Sequence, residues 1–178
     1  MTPNLRAQVV FSVGSTPARG PVAPSGWGLS QAEWGKLIET AVREVFEMML
    51  GCPVNRVEPT PEPDGDITAM VGLAGGLSGV VSVRCDLETA NLLASKMLGI
   101  NTKEAESATR DALGEIANVV AGTLKTKVPG LEDTCFLSTP TVVIGHGFKV
   151  YSLGNSTTTE VLMDVEGAHV WFILDAHH

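Results

Sequence analysis

Glu115 and Asn118 stand three residues apart in the run Asp111-Ala-Leu-Gly-Glu-Ile-Ala-Asn118. On a helix, positions i and i+3 share a face. A carboxylate there can dock a cationic side chain. A carboxamide beside it can hold a water molecule, because its C=O accepts from water while its N–H donates toward a second oxygen. On an exposed face this combination suggests hydrolysis assisted by a partner protein rather than a self-contained active site. Taken alone, the same residues are also what an ordinary solvated helix face carries.

The element that must position the pair is a helix expected over Glu104 to about Lys127, stopped by Pro129-Gly130. At about 100° per residue, Leu113, Ile116, Ala117, Val120 and Leu124 fall on one side as a buried stripe. Asp111, Glu115, Asn118 and Gly122 fall nearly opposite. Gly114 and Gly122 each cost a helix interior about 1 kcal/mol relative to alanine. Two such residues beside a polar stripe imply close approach to the backbone, by a packed sheet or by a partner. Gly122 lies on the polar stripe itself, where a partner is the favoured reading. Asp111, Gly114 and Gly122 are therefore the candidate partner contacts around Glu115 and Asn118.

Further elements follow from periodicity and punctuation. Ser30 with Glu33 forms a capping-box pattern for a helix to Leu50, ended by Gly51 and Pro53. Ile67–Leu73 and Val80–Cys85 read as a hairpin joined through Gly75, Gly76 and Gly79. Asp86 caps a helix over Leu87–Leu98. Strands are expected over Phe136–Ile144, Phe148–Leu153, Thr157–Val165 and His169–Leu174, with turns at 145–147, 154–155 and 166–167. Residues 14–29 hold Gly14, Pro17, Gly20, Pro21, Pro24, Gly26 and Gly28, so residues 1–29 read as a flexible arm before a single domain over 30–178. Whether residues 5–13 add a strand is open. The run Pro59–Gly65 reads as a stiff loop. The segment Ala41–Gly51 aligns without a gap to Ala112–Gly122, matching at Ala, Glu and Gly, and strands follow each copy. This pattern predicts a duplicated helix–strand–strand unit about a pseudo-two-fold axis. The fold class is α/β in the α+β sense, with long helices on a mostly antiparallel or mixed sheet.

Composition narrows the function. The net charge of −8, with no basic run, argues against nucleic acid and favours a partner with exposed Lys or Arg. Apolar residues make up 44% and aromatic ones only 5%, so the core must be aliphatic. Cys52, Cys85 and Cys135 are odd in number and far apart, which fits buried reduced thiols rather than disulfides or zinc. His146, His169, His177 and His178 show no ligand spacing, and no metal site is expected. No apolar run reaches the length of a membrane span, so a soluble cytoplasmic protein is expected.

Beyond these readings, Asp111 followed by Glu115-Ile-Ala-Asn118, with Pro140 near the family's proline position, resembles the signature of the CheC/CheX/FliY family of response-regulator phosphatases. Gly79-Val-Val-Ser-Val83, Asp86-Leu-Glu-Thr-Ala90, Lys96-Met-Leu-Gly99 and Pro140-Thr-Val-Val-Ile-Gly145 resemble its other elements, so the resemblance spans residues 31 to about 175. It implies that Asn118 orients the water attacking the aspartyl phosphate of a CheY-like receiver, ending a chemotaxis signal. It also implies that Glu115 pairs with the receiver's lysine, with Asp111 as a supporting contact. Pro140 reads more simply as a strand-start proline. The first repeat has Thr40, Glu44 and Glu47 where the second has Asp111, Glu115 and Asn118, so the chain resembles the single-site CheX-like members. Those members imply a homodimer, with no cofactor of the chain's own and Mg2+ held by the receiver. A non-catalytic module of the same fold, binding a receiver or a chemosensory or flagellar-switch partner, is the alternative.

Overall fold

The computed structural model describes residues 8–11, 28–59, 66–145, 149–152 and 155–177. Most of the expected arm lies outside the described residues. So do the loop over 60–65 and parts of the turns at 146–148 and 153–154. In chain order the elements begin with strand β1 (Gln8–Phe11), helix α1 (Gln31–Leu50), β2 (Asn55–Val57), β3 (Ile67–Gly75) and β4 (Gly79–Cys85). Helix α2 (Leu87–Leu98), the short α3 (Thr102–Ala105), a 3-10 turn (Glu106–Ala108) and α4 (Thr109–Thr126) follow. The chain ends with β5 (Cys135–Leu137), β6 (Thr141–Ile144), β7 (Lys149–Ser152), β8 (Ser156–Val165) and β9 (Ala168–His177).

Helix boundaries follow their caps. The Ser30 hydroxyl accepts from the Glu33 N–H, and the Ser30 N–H donates to the Glu33 carboxylate at 2.7 Å. These bonds satisfy donors that the first turn leaves open, and they hold the Glu33 carboxyl below the usual carboxylate range. Asp86 caps α2 by accepting from the Thr89 N–H at 2.6 Å. The third helix is shorter than its periodicity predicts, because the chain breaks into α3 and a 3-10 turn before α4. Asn101 caps α3 through the Glu104 N–H. Thr109 then fixes the start of α4 by donating to Asn91 Oδ1 on α2.

The main sheet is antiparallel, in the order β2-β8-β9-β4-β3, with β5 and β6 sharing the outer edge of β3. This order is symmetric about the β4–β9 pair: β3 corresponds to β8, and β2 to the β5–β6 edge. Each repeat therefore lends its first strand to the other repeat's hairpin, giving the pseudo-two-fold arrangement that the duplicated helix implied. The expected strand Phe136–Ile144 is two strands. It breaks at Ser138, whose hydroxyl accepts from the Gly72 N–H at 2.9 Å. Strand β2 has only three residues and no alternating apolar pattern, so periodicity does not reveal it. Residues 8–11 do form a strand, paired in parallel with β7.

One sheet face packs on α1 and α4. Val71, Val81, Val83, Val161, Met163 and Phe172 meet Ile38, Val42, Phe46, Leu113, Ile116 and Val120 in one core. Burial of each large side chain stabilises by about 1.5–3 kcal/mol. At its centre the Phe46 and Phe172 rings meet edge to face with centroids 5.8 Å apart. The opposite face carries a second cluster of Leu162, Trp171 and Ile173. Gly79 lies so close to β9 that a Cβ there would stand 2.1 Å from the Asp175 carbonyl oxygen. All three cysteines are buried free thiols, and burial pushes each thiol's pKa up. Among the described residues, no helix is long and apolar enough to cross a membrane. Phe172→Ala is expected to lower the unfolding free energy by about 3–5 kcal/mol, read as a reduced urea midpoint.

Candidate functional site

The buried arc of α4 contains Leu113, Ile116, Ala117, Val120 and Leu124, and also Ala112, Gly114 and Ala121. Core packing thus covers about half of the helix surface and leaves an outward stripe. Asp111 and Glu115 are exposed on that stripe, while Asn118 and Gly122 are half-buried. Among the described residues, the side chains of Asp111, Glu115 and Asn118 make no hydrogen bond or ion pair. A carboxylate and a carboxamide on one face, both without partners, keep their full capacity for an incoming group.

Gly114 faces the chain's own sheet. It is buried, and a Cβ placed on it would lie 3.5 Å from Pro140 Cβ and 3.5 Å from Val142 Cγ2. The group that approaches its backbone is thus the start of β6 in the same chain, not a partner. An alanine methyl would just touch this wall, and a larger side chain would push the helix off it. Pro140, half-buried at the entrance to β6, forms part of the seat for α4. Gly122 differs: the nearest atom to its hypothetical Cβ is Leu137 Cδ1 at 3.9 Å, so the fold leaves room for a methyl group there.

The far end of α4 is tied down by main-chain acceptors. Lys125 Nζ donates to the carbonyls of Glu132 at 2.9 Å and Cys135 at 3.1 Å, drawing the turn before β5 against the helix. Lys127 Nζ reaches across to Glu44 on α1 and donates to both carboxylate oxygens, at 2.6 and 2.5 Å. No local pattern reveals this ion pair, because its partners are 83 residues apart and meet only where two helices pack. A cavity of about 730 Å³ beside α2 is lined by Asp86, Glu88, Asn91, Glu106 and His169, and includes none of the stripe residues. The α4 stripe lies outside the wall of that cavity.

Residues 67–164, which include α4 and β6, match the family described as chemotaxis phosphatase CheX. The chain is 30% identical over 119 residues to the CheY-P phosphatase CheX of Thermotoga maritima, covering 64% of this chain and 77% of that protein. The crystal structure of the chemotaxis protein CheX from Desulfovibrio desulfuricans is similar with a TM-score of 0.70 at 23% identity, over 82% of this chain and 99% of that one. A chain of the CheX–CheY–BeF3–Mg2+ complex from Borrelia burgdorferi is similar with a TM-score of 0.67 at 22% identity, over 80% of this chain and 97% of that one. At these identities the two structures establish a shared fold.

Because the Gly122 position is open, Gly122→Ala is expected to raise stability by about 0.5–1 kcal/mol, the usual gain for alanine over glycine inside a helix. A higher urea midpoint would show that the fold itself does not require the glycine.

Proposed function

The chain belongs to the CheX family of chemotaxis phosphatases, and on that footing we propose that it hydrolyses the aspartyl phosphate of a CheY-type receiver, with Asn118 and Glu115 as the working pair. The observation that carries this reading is that an exposed Glu115 and a half-buried Asn118 share the outward stripe of α4 without any partner among the described residues. In this reading Glu115 pairs with the receiver's active-site lysine and sets the docking register. Asn118 then lies over the phosphoryl group. Its carbonyl oxygen accepts a hydrogen bond from the attacking water, and its N–H group donates toward a phosphoryl oxygen. Transfer of a phosphoryl group to water depends mainly on in-line positioning and charge stabilisation. An amide placed on a rigid helix supplies the positioning without adding negative charge beside the phosphate. The Mg2+ ion belongs to the receiver, which already holds the acyl phosphate.

The remaining stripe residues support docking. Asp111, one turn before Glu115, adds a second carboxylate for a cationic partner surface. Gly122, one turn after Asn118, lets the receiver approach the helix backbone. The acidic net charge of the chain adds long-range attraction for such a partner.

Phosphate release from a phosphorylated CheY-type receiver tests the assignment. Asn118→Ala is expected to lower the catalysed rate by about 100-fold, the scale of losing a positioning contact, while circular dichroism stays that of the native chain. Full activity in this variant would refute the role given to Asn118. Glu115→Lys is expected to abolish receiver binding, because it sets two ammonium groups against each other. Wild-type affinity for the receiver, measured by calorimetry, would refute the docking role. Gly122→Ala should weaken the same binding although it stabilises the fold.

A further inference from the structure

The internal repeat places Glu44 and Glu47 on α1 where α4 carries Glu115 and Asn118. The two copies differ in more than the last residue. Glu115 has no partner among the described residues, whereas both carboxylate oxygens of Glu44 are held by Lys127. The cause is where each helix ends relative to the aligned glycine. Helix α1 ends at Gly51, which adopts the left-handed conformation with φ 63°. Helix α4 continues past the aligned Gly122 to Thr126, about one further turn, and carries Lys127 over α1. Arg56 stands as far beyond Gly51 as Lys127 stands beyond Gly122, but it belongs to β2 and faces Glu39 at 3.5 Å. The helix that runs further past its aligned glycine therefore supplies a cation to its neighbour, and the other supplies none in return among the described residues.

We propose that Lys127 is a specificity-determining residue that occupies, on α1, the carboxylate a receiver lysine would otherwise use, and so confines docking to α4. This inference rests on the reading of Glu115 as the lysine anchor. A receiver lysine approaching α1 meets a carboxylate already neutralised by a fixed ammonium group. The pair is partly exposed, with side chains 25% and 50% accessible for Lys127 and Glu44, so water and salt weaken it. It therefore works together with Glu47, whose charge repels the phosphoryl group at the position where α4 offers an amide. Two separate barriers close α1: one acts against docking, the other against chemistry and close approach of the phosphate.

Two barriers predict a non-additive result. The probe is the CheY-type receiver that serves as substrate in the phosphate-release assay, loaded with beryllofluoride and Mg2+. Its stoichiometry is read by titration calorimetry and sedimentation velocity at fixed chain concentration. Wild type, Glu47→Asn and Lys127→Gln are each expected to bind one receiver per chain, and the double variant two. Glutamine keeps most of the methylene packing of Lys127, and the variants' melting curves accompany the titrations. In an Asn118→Ala background, the double variant should also recover phosphate release that neither single change restores. Two receivers on Glu47→Asn alone would overturn the inference, as would one receiver on the folded double variant. A wild-type chain that binds no receiver, or a Glu115→Lys chain that binds normally, would overturn the anchor reading and this inference with it. Wild-type binding at one receiver with the double variant still at one would overturn the Lys127 inference alone.

Discussion

The burial of α1 and α4 against one face of the antiparallel sheet is the constraint on which the other features depend. The Phe46–Phe172 contact lies at the centre of that seam, surrounded by Val, Ile, Leu and Met side chains from both layers. With aromatics at 5% of the chain, the core is built from aliphatic side chains that must interlock closely to exclude water. Once Leu113, Ile116, Val120 and Leu124 point into it, the rotation of α4 about its own axis is fixed. Asp111 and Glu115 are then presented outward because the core consumes the rest of the helix circumference. The polar stripe is thus a consequence of apolar packing and needs no polar contacts to hold it.

The pseudo-two-fold sheet gives both helices equivalent seats, and small differences in sequence separate their surfaces. A left-handed glycine ends α1, whereas the aligned glycine of α4 lies inside a helix that continues for another turn. That overhang places Lys127 on Glu44 and leaves Glu115 open. Gly114 shows another asymmetry. Its counterpart on α1 is Arg43, which turns to the Val54 carbonyl and to Glu39. On α4 the missing side chain lets Pro140 and Val142 come against the backbone.

Much of the fold was legible because it rests on local rules. The Ser30–Glu33 capping box, the Asp86 cap and the glycine after each of α1 and α2 mark helix ends by satisfying or terminating backbone hydrogen bonds. The short apolar runs at β3, β4, β8 and β9, bounded by turn residues, mark strands of a buried sheet. The break of the third helix into α3, a 3-10 turn and α4 was not legible, because Thr109 starts α4 through Asn91 on α2, a group that only the folded chain brings near. Strand β2 was hidden by its three-residue length, and the split between β5 and β6 depends on the Ser138 hydroxyl meeting Gly72, 66 residues away.

For the candidate site, residue spacing alone puts Asp111, Glu115, Asn118 and Gly122 on one helix face opposite an apolar stripe, because the rotation per residue is fixed. It could not decide what the glycines accommodate. The tertiary structure assigned Gly114 to the chain's own β6 and left room for a methyl group at Gly122, since only packing between distant segments sets those clearances. It also decided which of the two related carboxylates is engaged: an ion pair between α1 and the end of α4 depends on how far each helix extends over the other, and no local pattern encodes that distance.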